Sequence, residues 1–79
     1  MNQIPKRKYL NDLEKDIVDI FLTVGGDLSR NDVHEHLTHR GLNRSEELTR
    51  KALIKLESEH IIIRAGEYRG PQRVYWRLA

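Results

Sequence analysis

The stretch Arg44-Ser45-Glu46-Glu47-Leu48-Thr49-Arg50-Lys51-Ala52-Leu53-Ile54-Lys55-Leu56-Glu57-Ser58-Glu59 decides how this chain folds. Its apolar residues do not alternate. At about 100° per residue, Leu48, Ala52, Leu53 and Leu56 gather on one side of a helix. Glu47, Arg50, Ile54 and Ser58 gather on the other, flanked by Lys51. The spacing predicts an amphipathic rod that hides its leucines and holds a cationic face outward. It begins at Asn43 or Ser45, because either side chain can accept from an orphan backbone N–H, and Asn43 with Glu46 has the spacing of a capping pair. It runs out near Glu59 or His60.

Upstream, Gly41 ends a shorter helix, and Leu42 is a lone apolar residue suited to plugging the core. Ser29 is the expected N-cap of that helix, with Asp32 three residues on and Val33 and Leu37 as its buried positions. Asp27 and Leu28 form a short extended link. Gly25 and Gly26 close a first helix, since glycine takes the left-handed terminal conformation cheaply. That helix starts at Asn11, with Glu14 completing a capping-box pair. Leu13, Ile17, Ile20, Phe21 and Val24 follow its inward spacing. Val18 and Leu22 make a second apolar strip that needs a partner within the domain or on another chain.

Downstream the period changes. Ile61-Ile62-Ile63-Arg64 is β-branched and reads as a strand. Residues 65–71 contain Gly66, Gly70 and Pro71 and read as a loop. Val74, Trp76 and Leu78 then alternate with Arg73, Tyr75 and Arg77, the pattern of a half-buried strand. The two strands make an antiparallel hairpin. The expected fold is α+β, mainly α: three helices followed by a two-stranded β-hairpin wing. Residues 1–10 read as a flexible basic arm carrying Lys6, Arg7 and Lys8, and residues 11–79 as one domain.

Composition narrows the function. Seventy-nine residues allow one small domain. With no cysteine, a disulfide framework and a cysteine-based zinc site are excluded, which favours a reducing, cytoplasmic setting. No apolar run approaches the roughly 20 residues of a membrane span, so no membrane partner is expected. Net charge is +2, but it is unevenly spread. Residues 1–8 carry +3, residues 9–43 carry three basic and seven acidic side chains, and residues 44–79 carry eight basic and five acidic ones. Basic ends around an acidic middle suggest one side that faces a polyanion.

The order helix, helix, tight turn, helix, hairpin resembles the winged helix-turn-helix family of DNA-binding domains. The match runs through Leu28-Ser29-Arg30-Asn31-Asp32-Val33-His34-Glu35-His36-Leu37, then Leu48-Thr49-Arg50-Lys51-Ala52-Leu53-Ile54-Lys55-Leu56-Glu57, then the two strands. It covers roughly residues 11–79. The resemblance implies that the third helix enters the major groove of double-stranded DNA. Arg50 is then the expected base reader, because a guanidinium bonds bidentately to guanine O6 and N7. Glu47 is suited to accepting from cytosine or to orienting Arg50. Asn43, Arg44, Lys51 and Lys55 are expected on phosphates, with Ser45, Ser29 and Arg30 near helix starts where backbone N–H groups favour anions. Arg69, Gln72 and Arg73 on the wing, and the arm at Lys6, Arg7 and Lys8, are expected on the backbone or in a minor groove. Prokaryotic regulators of this family often dimerise through a further helix after the wing. The sequence stops at the last strand, so a homodimer is an open expectation without an assigned surface.

Each assignment has a plainer counterpart. The cations of the third helix also fit a solvated face paired with Glu46, Glu47 and Glu59. The wing and arm cations also fit simple solubilising roles. His34, His36 and His39 crowd the second helix near Asp32, but no fourth ligand at a diagnostic spacing completes a metal site, so no metal or other cofactor is expected. Tyr68, Tyr75 and Trp76 are too few for a stacking platform, and the alternation puts Trp76 in the core. Ser29 and Ser45 have capping roles, no phosphate-binding glycine loop is present, and the chain is short for a substrate pocket, so neither catalysis nor a small-molecule substrate is expected. The leading expectation is a sequence-specific DNA-binding protein, a small transcriptional regulator. The alternatives are a winged-helix module that binds another protein through Val18, Leu22 and Ile54, or a DNA-binding part of replication or plasmid-partition machinery.

Overall fold

A computed structural model describes residues 10–42, 44–65 and 74–79 of the chain. Helix α1 spans Asp12–Val24, strand β1 Leu28–Ser29, helix α2 Arg30–His39, helix α3 Glu46–Ser58, strand β2 Ile62–Arg64 and strand β3 Tyr75–Leu78. The helices begin where local chemistry says they must. Asn11 Oδ1 accepts from the Glu14 backbone N–H at 2.8 Å, while Glu14 Oε1 accepts from the Asn11 N–H at 3.0 Å. Ser29 and Asp32 make the same reciprocal pair at the head of α2. These boxes satisfy two orphan donors each. At α3 the cap is Ser45, whose Oγ accepts from the Leu48 N–H. Asn43, the other candidate start, lies outside the described residues.

Helices α2 and α3 end alike. After α2, Gly41 at φ +80° donates to the Thr38 carbonyl and Leu42 donates to that of Leu37. After α3, His60 at φ +63° donates to Glu57 and Ile61 donates to Leu56. Both are Schellman turns, and their left-handed position is the one glycine fills at least cost. Gly41 meets that preference and His60 does not.

The sheet has three strands, in the order β1-β3-β2, all antiparallel. Trp76 sits opposite Leu28 on one side and Arg64 on the other. The hairpin expected from sequence is present in β2 and β3. The link at Leu28 is a third strand, because its extended backbone pairs with the far edge of β3. That partner lies 48 positions downstream of Leu28, beyond the reach of local patterning.

The core forms where α1, α2 and α3 meet one face of this sheet. Ile17, Ile20, Phe21, Val33, Leu37, Leu53, Leu56 and Ile62 are buried at its centre, with Trp76 closing one side and Leu42 and Leu78 packed against it. Four sequence expectations are corrected. Leu48 is 48% exposed and Thr49 takes the inward position. The Thr49 hydroxyl donates to the Ser45 carbonyl at 3.2 Å, which removes the cost of burying it. Val24, at the last turn of α1, is exposed. Val18 is buried within the domain, so it is not part of an exposed apolar surface. Leu10, assigned to the arm, packs into the core.

Candidate nucleic-acid interface

Because Thr49, Ala52, Leu53 and Leu56 turn inward, the opposite face of α3 is left to solvent. Glu47, Lys51, Ile54 and Ser58 are exposed there, and Arg50 is half-exposed between them. Arg50 does not stand alone. Its Nη2 donates to Glu47 Oε2 at 2.6 Å and its Nε to Glu47 Oε1 at 3.4 Å, so one flat edge of the guanidinium meets both carboxylate oxygens. The hydrogen bond from Arg50, then its charge, holds the Glu47 carboxyl below the usual carboxylate range. The charges of Lys51 and Arg30 add to the effect. The carboxylate in turn raises the Arg50 guanidinium above its ordinary value.

A shallow open groove of about 280 Å³ runs beside this pair. Its walls are the start of α2 with Arg30, the outer face of α3 with Arg50 and Ile54, and the sheet with Arg64 and Trp76. Three arginines from three different elements thus border one depression. Arg64 is held in place by Glu57, whose Oε2 accepts from the Arg64 Nε at 3.0 Å. The other oxygen of Glu57 accepts from the Trp76 indole N–H at 3.1 Å. Planar guanidinium groups suit phosphate and base-edge acceptors.

The residues singled out from sequence fall into three groups. Arg30, Arg44, Ser45, Glu47, Arg50 and Lys51 are at least partly open to solvent, with Arg30, Arg50 and Lys51 close enough for their charges to act on Glu47. Two others are committed elsewhere. Ser29 is buried and its hydroxyl serves the cap of α2. Lys55 turns toward α1, with Nζ 3.5 Å from the buried Glu14 Oε1. Lys6, Arg7, Lys8, Asn43, Tyr68, Arg69, Gln72 and Arg73 lie outside the described residues. Arg64 and Asn31 border the groove without having been singled out. The only sequence signal for Arg64 was a cation ending an otherwise apolar strand.

Of the apolar positions considered for a partner, Leu22 and Ile54 are exposed but line two separate grooves, so they do not form one patch. Of the α2 histidines, His39 is exposed, while His34 and His36 are half-buried and the His34 Nδ1 is buried without a hydrogen-bond partner among the described residues. The His36 and His39 rings meet edge to face at 6.5 Å, and no group of three or more metal-binding side chains occurs among the described residues.

No family model matches the sequence, and no curated protein matches it either. Solved structures do. The ferric uptake regulator of Francisella tularensis, solved with iron, superposes with a TM-score of 0.76 at 23% identity, over 87% of this chain and 52% of that one. A structure described as being of prokaryotic transcription factors gives 0.71 at 25% identity, over 81% and 50%. The ferric uptake regulator of Vibrio cholerae gives 0.76 at 13% identity, over 89% and 53%, and its DNA-binding domains are described as rearranged. The chain spans about half the length of each of these structures. With three helices, an antiparallel sheet and these neighbours, the chain has the winged helix-turn-helix fold found in ferric uptake regulators.

Proposed function

We propose that this chain binds double-stranded DNA through the outer face of α3 and acts as the DNA-binding part of a transcriptional regulator. The observation that carries this is the clustering of Arg30, Arg50 and Arg64 around one groove beside an exposed helix face. The likeness to transcription factors of the same fold supports it. In this reading α3 lies in the major groove, which is wide enough to admit a helix. Arg50 reads a base, and Arg30, Arg44, Ser45 and Lys51 engage phosphates. Asn43, the wing residues Arg69, Gln72 and Arg73, and the arm at Lys6, Arg7 and Lys8 extend the contact along the backbone. Binding is sequence-specific because α3 offers hydrogen-bonding groups, and not charge alone, to the base edges.

A gel-shift selection from random duplexes tests this directly. The wild-type chain enriches a defined sequence, and its affinity falls steeply as salt rises, since each phosphate contact releases condensed counterions. Arg50→Ala costs about 1–3 kcal/mol and relaxes sequence preference. A chain with no duplex affinity at low salt is not a DNA-binding module.

A further inference from the structure

The Glu47–Arg50 pair carries the duplex-binding reading further, and the inference rests on that reading. A carboxylate on a surface meant for a polyanion is a liability unless it has a task, because it repels every phosphate regardless of sequence. Glu47 sits among three cations, Arg50, Lys51 and Arg30. It engages Arg50 through both oxygens, by the Nε–Nη2 edge of the guanidinium. A guanidinium is a rigid planar fork. Fixing one edge fixes the plane, and leaves the edge bearing Nη1 without a partner among the described residues. That edge carries two parallel N–H donors, the complement of a base edge with two acceptors. In the major groove, guanine presents such a pair in O6 and N7.

We propose that Glu47 is a positioning residue that sets base specificity: it grips one edge of Arg50 so that the other edge meets a guanine, and it cancels the charge that would draw Arg50 to any phosphate. An unbuttressed Arg50 would sweep through many rotamers and settle on phosphates as readily as on bases. The buttressed one gives up part of its sequence-blind attraction and gains discrimination. The pair is local to one turn of α3 and both side chains are open to solvent, so changing Glu47 leaves the core untouched.

The test uses the whole chain and the duplex selected by the wild type, a copy with each G·C pair changed in turn to A·T, and a scrambled duplex. Wild type, Glu47→Gln, Glu47→Ala, Arg50→Ala and the double variant Glu47→Ala/Arg50→Ala are titrated across a salt series. Glu47→Ala is expected to lose roughly tenfold in discrimination at one guanine, the same one that Arg50→Ala affects. It binds the scrambled duplex at least as tightly as wild type, and its log–log salt slope steepens by up to about one ion. Glu47→Gln, whose amide oxygen still accepts from Arg50, falls between. In the double variant the loss of discrimination equals that of Arg50→Ala alone, because both changes remove one device. Unchanged discrimination in Glu47→Ala, or losses that add in the double variant, overturn the proposal. If Glu47 itself reads a base, its variants lose preference at a cytosine position independently of Arg50, which also overturns it. A wild type that binds none of the duplexes at low salt removes the duplex-binding function and this inference with it.

Discussion

Glu57 on α3 accepts the Trp76 indole N–H of β3 at 3.1 Å, and with its second oxygen it accepts Arg64 of β2 at 3.0 Å. One carboxylate therefore ties the outward-facing helix to both strands of the hairpin. A buried indole needs an acceptor for its single donor, and Trp76 is only 7% exposed. This bond adds a polar tie between α3 and the sheet beside the arginine-bordered groove, where Trp76 and Arg64 are both lining residues.

Glu57→Ala leaves that donor buried without a partner and is expected to lower stability by about 1–3 kcal/mol. Trp76→Phe removes the donor and the need for an acceptor together. Urea titrations of both single variants and the double should therefore show coupling of at least about 0.5 kcal/mol. Strictly additive losses would mean the bond does not contribute in solution.

Lys55 is expected to contribute more to the fold than to duplex binding. Its ammonium lies 3.5 Å from the carboxylate of Glu14, a side chain only 4% exposed. Lys55→Met keeps the aliphatic stem and leaves that carboxylate without its cation. Because Lys55 is itself 45% exposed, the cost falls between that of surface and buried pairs, about 1–2 kcal/mol. Duplex affinity should fall less than in Arg50→Ala. A large affinity loss with unchanged thermal stability would return Lys55 to the binding face.

His60 holds a left-handed backbone, φ +63°, at the turn that ends α3. A residue with a Cβ pays a steric cost there that glycine avoids. His60→Gly is expected to raise stability by about 0.5–1 kcal/mol, net of the greater freedom glycine gives the unfolded chain. Chemical denaturation measures it, and a destabilised variant would show that the imidazole makes a contribution larger than the backbone strain.

Acid should act locally at the Glu47–Arg50 pair. The Glu47 pKa is lowered first by the hydrogen bond from Arg50 and then by its charge. A carboxyl with a depressed folded pKa stabilises the fold above the ordinary carboxylate range, and that contribution is lost as pH falls through the lowered value. Both groups are exposed, so the readout is the Glu47 carboxyl resonance and not global stability. In Arg50→Ala its titration midpoint should move up toward the ordinary value. An identical midpoint in both proteins would mean the pair is not formed in solution.

Much of this architecture was legible in the sequence because its signals are local. Asn11 with Glu14 and Ser29 with Asp32 mark helix starts by chemistry confined to one turn, and they appear where expected. The alternation of Val74, Trp76 and Leu78 located β3 for the same reason. What escaped depended on distant partners or on a hidden compensation. The pairing of Leu28 with Trp76 has no local trace. Thr49 looks polar until its hydroxyl is seen to bond to Ser45, and taking Leu48 as the inward residue rotates the stripe by one position. Lys55 reads as a free cation until α1 brings Glu14 against it. Arg50 was legible as a candidate reader. That Glu47 grips it through both oxygens was not, since spacing alone leaves several rotamers open.

The central claim is that the outer face of α3 meets the duplex. Backbone amide shifts of the full chain, recorded as a selected duplex is added at low salt, test it most directly. The account predicts the largest changes at Arg30, Glu47, Arg50, Lys51 and Ile54, with α1 little affected. Changes concentrated on α1 near Lys15, Asp19 and Leu22, with that set of residues unmoved, would contradict it.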